Sequence, residues 1–337
     1  MTLIDCISAI PSKMQDFLHS FDLPKKELLG FDEIVFIASG SSYNAAFLSS
    51  FFIREKLEIR TCCLWPNLFL QNPYIFSKKT LYVFISQSGK SKAVYEALKK
   101  LKEQGLVSVA ITDDAGSKIA KTASFHVDLK IGGEPFVFRT IGYSQSVLAC
   151  LMLALSMKGK ELEFLDDLEV ARTNLACLQK ASSSWIEQGF IKAQNSRAVL
   201  FAAANSLYAV ANEASIKFME MLPVVSSSYE IEEFIHGPQN AFRDDLSFFI
   251  LHKKGFDNGK SLQVARFLKS KFKEVALVGD EVLDNQDLKL EIKSKDFYFL
   301  EYVCASQVLA FHYARLKGRD LGQRINKDID LFFNKSL

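Results

Sequence analysis

Two short polar stretches place hydroxyls where a parallel sheet would use them. Ser39-Gly40-Ser41-Ser42 and Ser86-Gln87-Ser88-Gly89-Lys90-Ser91 each follow an apolar run and precede a helical pattern. In a parallel sheet, ligands sit beyond the carboxyl ends of the strands. A helix N-terminus there leaves backbone N–H groups unpaired and carries partial positive charge. That charge favours an anion by about 0.3–1 kcal/mol at the surface and up to about 2 kcal/mol when partly buried. Serine hydroxyls add neutral donors, so two such turns would hold a phosphate without any arginine. One serine-rich turn would be an ordinary N-cap; two on adjacent strands, with Ser-x-Ser-Gly-x-Ser in the second, point to phosphate. Gly89-Lys90-Ser91 is not a P-loop. That motif needs a glycine five residues before Gly89, and Phe84 stands there inside the strand.

Glu220 and His236 form a second pair of interest. Glu220 closes the helical run NEASIKFMEM, and His236 lies in EEFIHGP. A carboxylate and an imidazole brought together divide proton work, each contributing about 10²–10⁴-fold. Spacing alone leaves the ordinary readings open: a surface histidine before a Gly-Pro turn and a solvated glutamate.

These residues need a scaffold, and the apolar pattern supplies one. Glu33–Ala38, Thr80–Ser86 and Leu106–Thr112 read as strands buried on both faces, with SFHVDLK as a fourth. The segments from Tyr43 to Leu57, from Lys92 to Gly105 and from Gly142 to Met157 read as helices. Strands alternating with helices imply crossovers, a parallel sheet and helices on both of its faces. A charged helix, GKELEFLDDLEVARTNLACLQK, links this half to another strand–turn–helix start at RAVLFAAANSLYAVANEASIKFME. Leu246–Leu251 and Glu274–Gly279 are further strands, and a long helix closes at Gly318. Phe36, Ser41, Tyr43 and Ala46 recur at one constant offset as Phe201, Ser206, Tyr208 and Ala211. A period near half the chain suggests duplication of one unit. The expected division is a helical lead-in over 1–30, with a turn at Leu23-Pro24, then a first domain over 31–160. A linker helix over 161–194, a second domain over 195–320 and a C-terminal tail over 321–337 complete it.

Composition narrows the function. The 337 residues carry 41 Lys plus Arg against 39 Asp plus Glu, a net charge of +2. A dedicated nucleic-acid binder would show a strong basic excess. The six cysteines form no C-x-x-C pair and no zinc-type spacing, which suits reduced core thiols in a cytoplasmic protein. The N-terminus has no basic stretch before an apolar core, so a secretory signal is not expected. The apolar run SVLACLMLALSM is shorter than the roughly 20 residues of a membrane span and reads as a buried helix. No ligand set for a metal or a nucleotide stands out, so no cofactor is expected.

Four blocks carry a resemblance over about Phe31 to Lys327. ASGSSYNAA is similar to C-G-T-S-Y-x-A, and ISQSGKS to S-Q-S-G-x-[ST]. NEASIKFMEM with EEFIHGP resembles E-x-x-x-K-x-x-E … E-x-x-H-G-P, and VLAFHYARLKGRD resembles L-x-A-Y-x-x-A-x-x-K-G-x-D. Together they resemble the sugar isomerase (SIS) domain family, in particular the isomerase half of glucosamine-6-phosphate synthase. The resemblance implies an α/β fold of two tandem SIS domains, flavodoxin-like αβα sandwiches with parallel sheets, acting on a 6-phosphosugar. Ser42, Ser86, Gln87, Ser88 and Ser91 fall on phosphate-cradling positions, beside Gly40 and Ser41. Glu220 falls on the base that moves a proton between C1 and C2. His236 falls on the ring-opening acid/base, which in this family reaches into a neighbouring subunit's site. Glu213 and Lys217 fall on supporting charged positions of the same helix.

Departures from the pattern matter as much. The resemblance takes in no glutaminase segment with its cysteine nucleophile, so a full synthase is not expected. Arg139-Thr140-Ile141 stands where the family has S-T-K, and Ala203-Ala204-Asn205 where it has G-R-G. Both Arg139 and Thr140 are expected to support the substrate, Arg139 by pairing with a phosphate or a substrate carboxylate. Lys327 is the nearest counterpart of the family's C-terminal lysine, offset by about two residues. The tail resembles those of stand-alone deglycases that split fructosamine 6-phosphates. The expectation is therefore a cytoplasmic homo-oligomeric isomerase/deglycase acting on an amino-sugar 6-phosphate, its active site at a subunit interface. A glucosamine-6-phosphate deaminase and a non-catalytic sugar-phosphate-binding regulator are the alternatives. Neither nucleic acid nor membrane is an expected partner.

Overall fold

The computed structural model describes residues 2–23, 25–71 and 76–337. It separates into two compact units, one of residues 12–165 and 324–337, the other of residues 1–11 and 166–323. The tail therefore groups with the first sheet and the start of the chain with the second. Pro24 of the expected Leu23-Pro24 turn lies outside the described residues.

The chain opens with helices α1 (Leu3–Ser20) and α2 (Lys25–Leu28), then β1 (Glu33–Ile37), α3 (Ser41–Leu57), β2 (Arg60–Leu64) and α4 (Pro66–Gln71). β3 (Thr80–Ile85), α5 (Lys92–Glu103), β4 (Ser108–Thr112), α6 (Lys118–Thr122), β5 (Phe125–Asp128) and α7 (Ile141–Lys158) follow. The long α8 (Glu161–Glu187) leads to β6 (Ala198–Ala203), α9 (Ser206–Met221), β7 (Val225–Glu230), β8 (Leu246–His252) and α10 (Lys260–Lys271). β9 (Val275–Gly279), β10 (Leu288–Lys289), α11 (Tyr298–Leu316) and α12 (Ile329–Phe332) end the chain.

Among the described residues both sheets have five strands, ordered β2-β1-β3-β4-β5 and β7-β6-β8-β9-β10, and every pairing within the sheets is parallel. Numbered within each unit, the two orders are the same. The repeat extends to backbone detail: Gly40, before α3, has φ 58° and ψ −137°, and Asn205, before α9, has φ 53° and ψ −136°.

The continuous apolar strands occupy the sheet centres, where helices cover both faces. All six residues of β3 are buried, and Phe69 from α4 packs edge-on against Tyr82 and Phe84 at 6.4 and 6.1 Å. Each such side chain contributes about 1.5–3 kcal/mol on burial. In the other unit Phe248 and Phe234 sit in a core with Leu268 and Leu277. α7 is the one described helix long and apolar enough to cross a membrane, and 94% of that stretch is buried. The described cysteines form no disulfide. Cys6, Cys150 and Cys304 are buried, whereas Cys177 is exposed and departs from the expected core placement.

Two histidines give the fold a pH dependence. His126 lies 2.8 Å from Thr112 Oγ1, and His312 Nε2 lies 2.9 Å from Ser183 Oγ. Burial is the main cause that holds both imidazoles below their ordinary value of 6.5. The unfolded chain then binds more protons than the folded one, so their contribution is complete above about 6.5 and is lost as pH falls below it. Denaturant midpoints measured between pH 8 and 5 are expected to fall, and to fall less in a His126→Gln/His312→Gln variant. An equal slope in the two proteins would contradict this assignment.

Candidate functional site

In the first-sheet unit the two serine turns lie at the carboxyl ends of β1 and β3. The positive φ of Gly40 is a backbone shape that glycine adopts without strain. It turns the chain from β1 into α3, where Ser41 and Ser42 form the first residues and Asn44 N–H donates to Gly40 O at 3.0 Å. The second turn is closed by its own groups. Gly89 N–H donates to Ser86 O at 2.8 Å, and Ser91 N–H donates to Ser86 Oγ at 3.3 Å. Gly89 is required twice over, because its φ is 65° and a Cβ there would overlap the Ser117 side chain.

A cleft of about 640 Å³ opens beside these turns, and Ser39, Ser88, Ser91, Lys90, Lys92 and Lys335 are among its lining residues. Its other lining charge is Glu96. The structure thus brings Ser88 and Ser91 to one cleft with Ser39. Ser41 and Ser42 stand at the head of α3, and the buried Ser86 builds the turn beneath.

The tail completes this cleft. Ser336 bridges Ser91 in antiparallel fashion, Lys92 N–H donates to Lys335 O at 3.0 Å, and Leu337 N–H donates to Lys90 O at 2.9 Å. That backbone bridge carries Lys335 to the cleft. Lys327, the expected tail lysine, is exposed and is not among the residues lining it. Only the geometry of the tail separates the two lysines, because no periodic pattern fixes where an irregular tail lands.

Two residues expected to support the substrate make contacts within their own loop. Thr140 is fully buried, and its N–H and Oγ1 both donate to Glu134 Oε1 at 2.7 Å. Its described role is to start α7. Arg139 Nη1 donates to the carbonyls of Glu134 and Phe136, each at 3.0 Å, so that arm of its guanidinium binds its own loop. Sequence reasoning missed Glu134 itself. Its signal was an acidic residue just ahead of a helical run, the usual place for a carboxylate on a helix N-terminus.

The second-sheet unit carries the residues expected to do acid–base work. Glu213, Lys217 and Glu220 recur at i, i+4 and i+7 on α9 and so share one face. Lys217 Nζ is 3.2 Å from Glu213 Oε1 and 2.6 Å from Glu220 Oε2. Burial alone would lower the Lys217 ammonium, but the two carboxylates more than offset it, and its pKa is raised. The cation therefore persists in the interior. Glu213 is buried, whereas the Glu220 side chain is 35% exposed, anchored at one oxygen and open to solvent. His236 is on the surface, its Nε2 3.1 Å from Glu232 Oε1. Among the described contacts it is Glu232 that His236 meets, and no hydrogen bond or ion pair joins His236 to Glu220.

The repeat of the serine turn in this unit is filled by its own side chains. Ser206 Oγ is 2.6 Å from Tyr298 OH, and Asn205 Nδ2 donates to Phe256 O at 2.8 Å. Lys253 Nζ lies over the Phe256 and Tyr298 rings at 5.5 and 5.0 Å. With Ala204 and Leu207 where the first turn has Ser39 and Ser42, this turn does not repeat the donor cluster of the first unit. Among the described residues no group of three or more His, Cys, Asp or Glu is placed to hold a metal ion.

Comparison with known proteins agrees with the four motif blocks. Residues 69–171 match the SIS domain family model. A glutamine–fructose-6-phosphate aminotransferase (isomerizing) from Campylobacter jejuni is 25% identical over 89% of this chain and 51% of its own length. The chain spans 35% to 55% of the length of the first three such relatives. Among solved structures, a candidate phosphosugar isomerase from Clostridium difficile 630 superposes with a TM-score of 0.90 at 22% identity, covering 98% of both chains. A glucosamine-6-phosphate deaminase from Thermotoga maritima gives 0.81 at 21% identity, covering 96% of this chain and 97% of that one. The resemblance drawn from the motifs is borne out, as is the fold of two parallel α/β sheets.

Proposed function

We propose that the chain is a cytoplasmic phosphosugar isomerase that acts on an amino-sugar 6-phosphate and releases the amine. The phosphoryl group docks on the serine turns of the first-sheet unit, with Lys335 adding charge at the cleft. His236, reaching from a neighbouring subunit of a homo-oligomer, assists ring opening. Glu220 takes the proton from C1 of the open 6-phosphofructosamine, exchanges it with solvent through its exposed oxygen, and delivers a proton to C2. The resulting C1 imine adds water and breaks its C–N bond, giving a free amine and an aldose 6-phosphate. Every proton is accounted for by the carboxylate and water.

One observation carries this reading: the Glu220 carboxylate is fixed at 2.6 Å by a buried cation yet remains partly exposed. A base that passes a proton between neighbouring carbons needs a fixed position and an open face. Binding alone needs neither. The likeness to a glucosamine-6-phosphate deaminase favours the nearest alternative, in which the amine released is ammonia.

The test is a panel of 6-phosphosugars: fructoselysine, glucoselysine, fructose-asparagine and glucosamine 6-phosphates, with released amine and ammonia measured separately. Amine release from a conjugate is the expected result. Ammonia from glucosamine 6-phosphate alone would transfer the assignment to the deaminase. Tight binding with no product from any member would replace the enzyme by a sugar-phosphate-binding regulator.

A further inference from the structure

We propose that Glu134 is a positioning residue for the Ser86–Ser91 turn and that it acts through Gln87. The inference rests on the reading of that turn as the phosphate site.

Glu134 lies in the loop between β5 and α7 and is 8% exposed. Its two oxygens face different elements. Oε1 accepts from Thr140 N–H and Oγ1 at 2.7 Å and from Ile141 N–H at 3.1 Å. Oε2 accepts from Gly142 N–H at 3.2 Å and from Gln87 Nε2 at 3.4 Å. One carboxylate therefore caps the first turn of α7 and reaches the turn that follows β3.

The approach between these elements is close. A Cβ at Gly142 would overlap the Gln87 carboxamide, so that amide lies directly against the start of α7. The Gln87 backbone is held from another side, where its carbonyl accepts from Asp113 N–H at 2.7 Å. Arg139 ties down the loop that carries Glu134. A helix N-terminus attracts an anion, and here a side chain of the chain itself fills that place. α7 is thereby removed as a competing phosphate site, and the anion that fills it orients a residue of the turn proposed to bind phosphate.

A structural cap alone would affect stability and nothing else. Positioning predicts a coupling in ligand affinity. Dissociation constants for fructose 6-phosphate would be measured by calorimetry on the wild type, Glu134→Gln, Gln87→Ala and the double variant. In Glu134→Gln an amide NH₂ replaces one acceptor, so it meets as donor against donor either the Thr140 and Ile141 N–H groups or Gly142 N–H together with Gln87 Nε2. Each single variant is expected to bind about two- to tenfold more weakly, the scale of one hydrogen bond. The double variant is expected to bind no more weakly than Gln87→Ala. Losses that multiply in the double variant, or wild-type affinity in Glu134→Gln, would overturn the proposal.

Glu134→Asp covers a failure of Glu134→Gln to fold. It keeps the charge beside α7 but draws the carboxylate back from Gln87. It should melt near the wild type and bind as weakly as Gln87→Ala; wild-type binding would overturn the role. Weakened binding in a Ser88→Ala/Ser91→Ala variant, with none in the Glu134 variants, would sink this inference while sparing the phosphate site. Loss of the site itself would show as no fructose 6-phosphate binding by the wild type, and both readings would then fall.

Discussion

Glu220→Gln is expected to lower turnover about 10²–10⁴-fold while the phosphosugar still binds. The substitution keeps the shape of the side chain and its contact with Lys217, but glutamine cannot accept and return a proton. Lys217 Nζ lies 2.6 Å from Glu220 Oε2, and an amide oxygen can occupy the same place. The phosphate docks on a different unit in the proposed mechanism, so its affinity should change little. Steady-state kinetics on the best substrate of the panel, with calorimetry on fructose 6-phosphate, would separate the two effects. Turnover within a few-fold of the wild type would remove Glu220 from the chemistry.

Lys217→Met carries the largest expected effect on stability, a loss of about 3–5 kcal/mol. The ammonium is fully buried between two carboxylates. Without it the Glu213 carboxylate, itself 2% exposed, loses its cation inside the protein. Breaking one side of a buried ion pair is costly because the remaining charge is uncompensated. Urea denaturation would read the loss. Glu213→Gln added to Lys217→Met should restore much of it, because the charge responsible is then gone. A Lys217→Met protein as stable as the wild type, or a double variant weaker than the single, would contradict this view of the triad.

The sequence carried the fold wherever its pattern was continuous. β1, β3 and β4 are runs of apolar residues buried on both faces, and their limits in the structure lie close to those read from the chain. β2 and β7 escaped notice for a shared reason. Each is the edge strand next to the first strand of its sheet, and each is only partly buried. Arg-Thr-Cys-Cys-Leu and Val-Ser-Ser-Ser-Tyr-Glu lack the apolar continuity of a central strand, and three serines in a row read as a turn. The duplication was visible in four matching residues, and its strongest mark, the shared backbone at Gly40 and Asn205, involves two unlike residue types.

The candidate site was legible in part. The Glu213–Lys217–Glu220 face follows directly from helical periodicity. The serine turns were visible because strand, hydroxyls and helix follow one another in the chain. Glu134 and Lys335 were missed, and the burial of Thr140 was not foreseen, because these placements depend on contacts across loops, which no local period records. Lys335 reaches the cleft through backbone pairing with the Ser91 region, an event of tertiary structure. Arg139 suggested a ligand by its charge, while two loop carbonyls occupy its Nη1.

The central claim is that Glu220 carries a proton between neighbouring carbons of a phosphosugar anchored on the serine turns. Hydrogen exchange tests it most directly. The wild type and Glu220→Gln would be incubated in D₂O with the panel substrate turned over fastest, and deuterium at C1 and C2 followed by NMR. The expected result is solvent deuterium at C2 of the aldose 6-phosphate formed by the wild type, and none above background with Glu220→Gln. Deuterium entering at the same rate with both proteins, or product formed with no deuterium at C1 or C2, would contradict it.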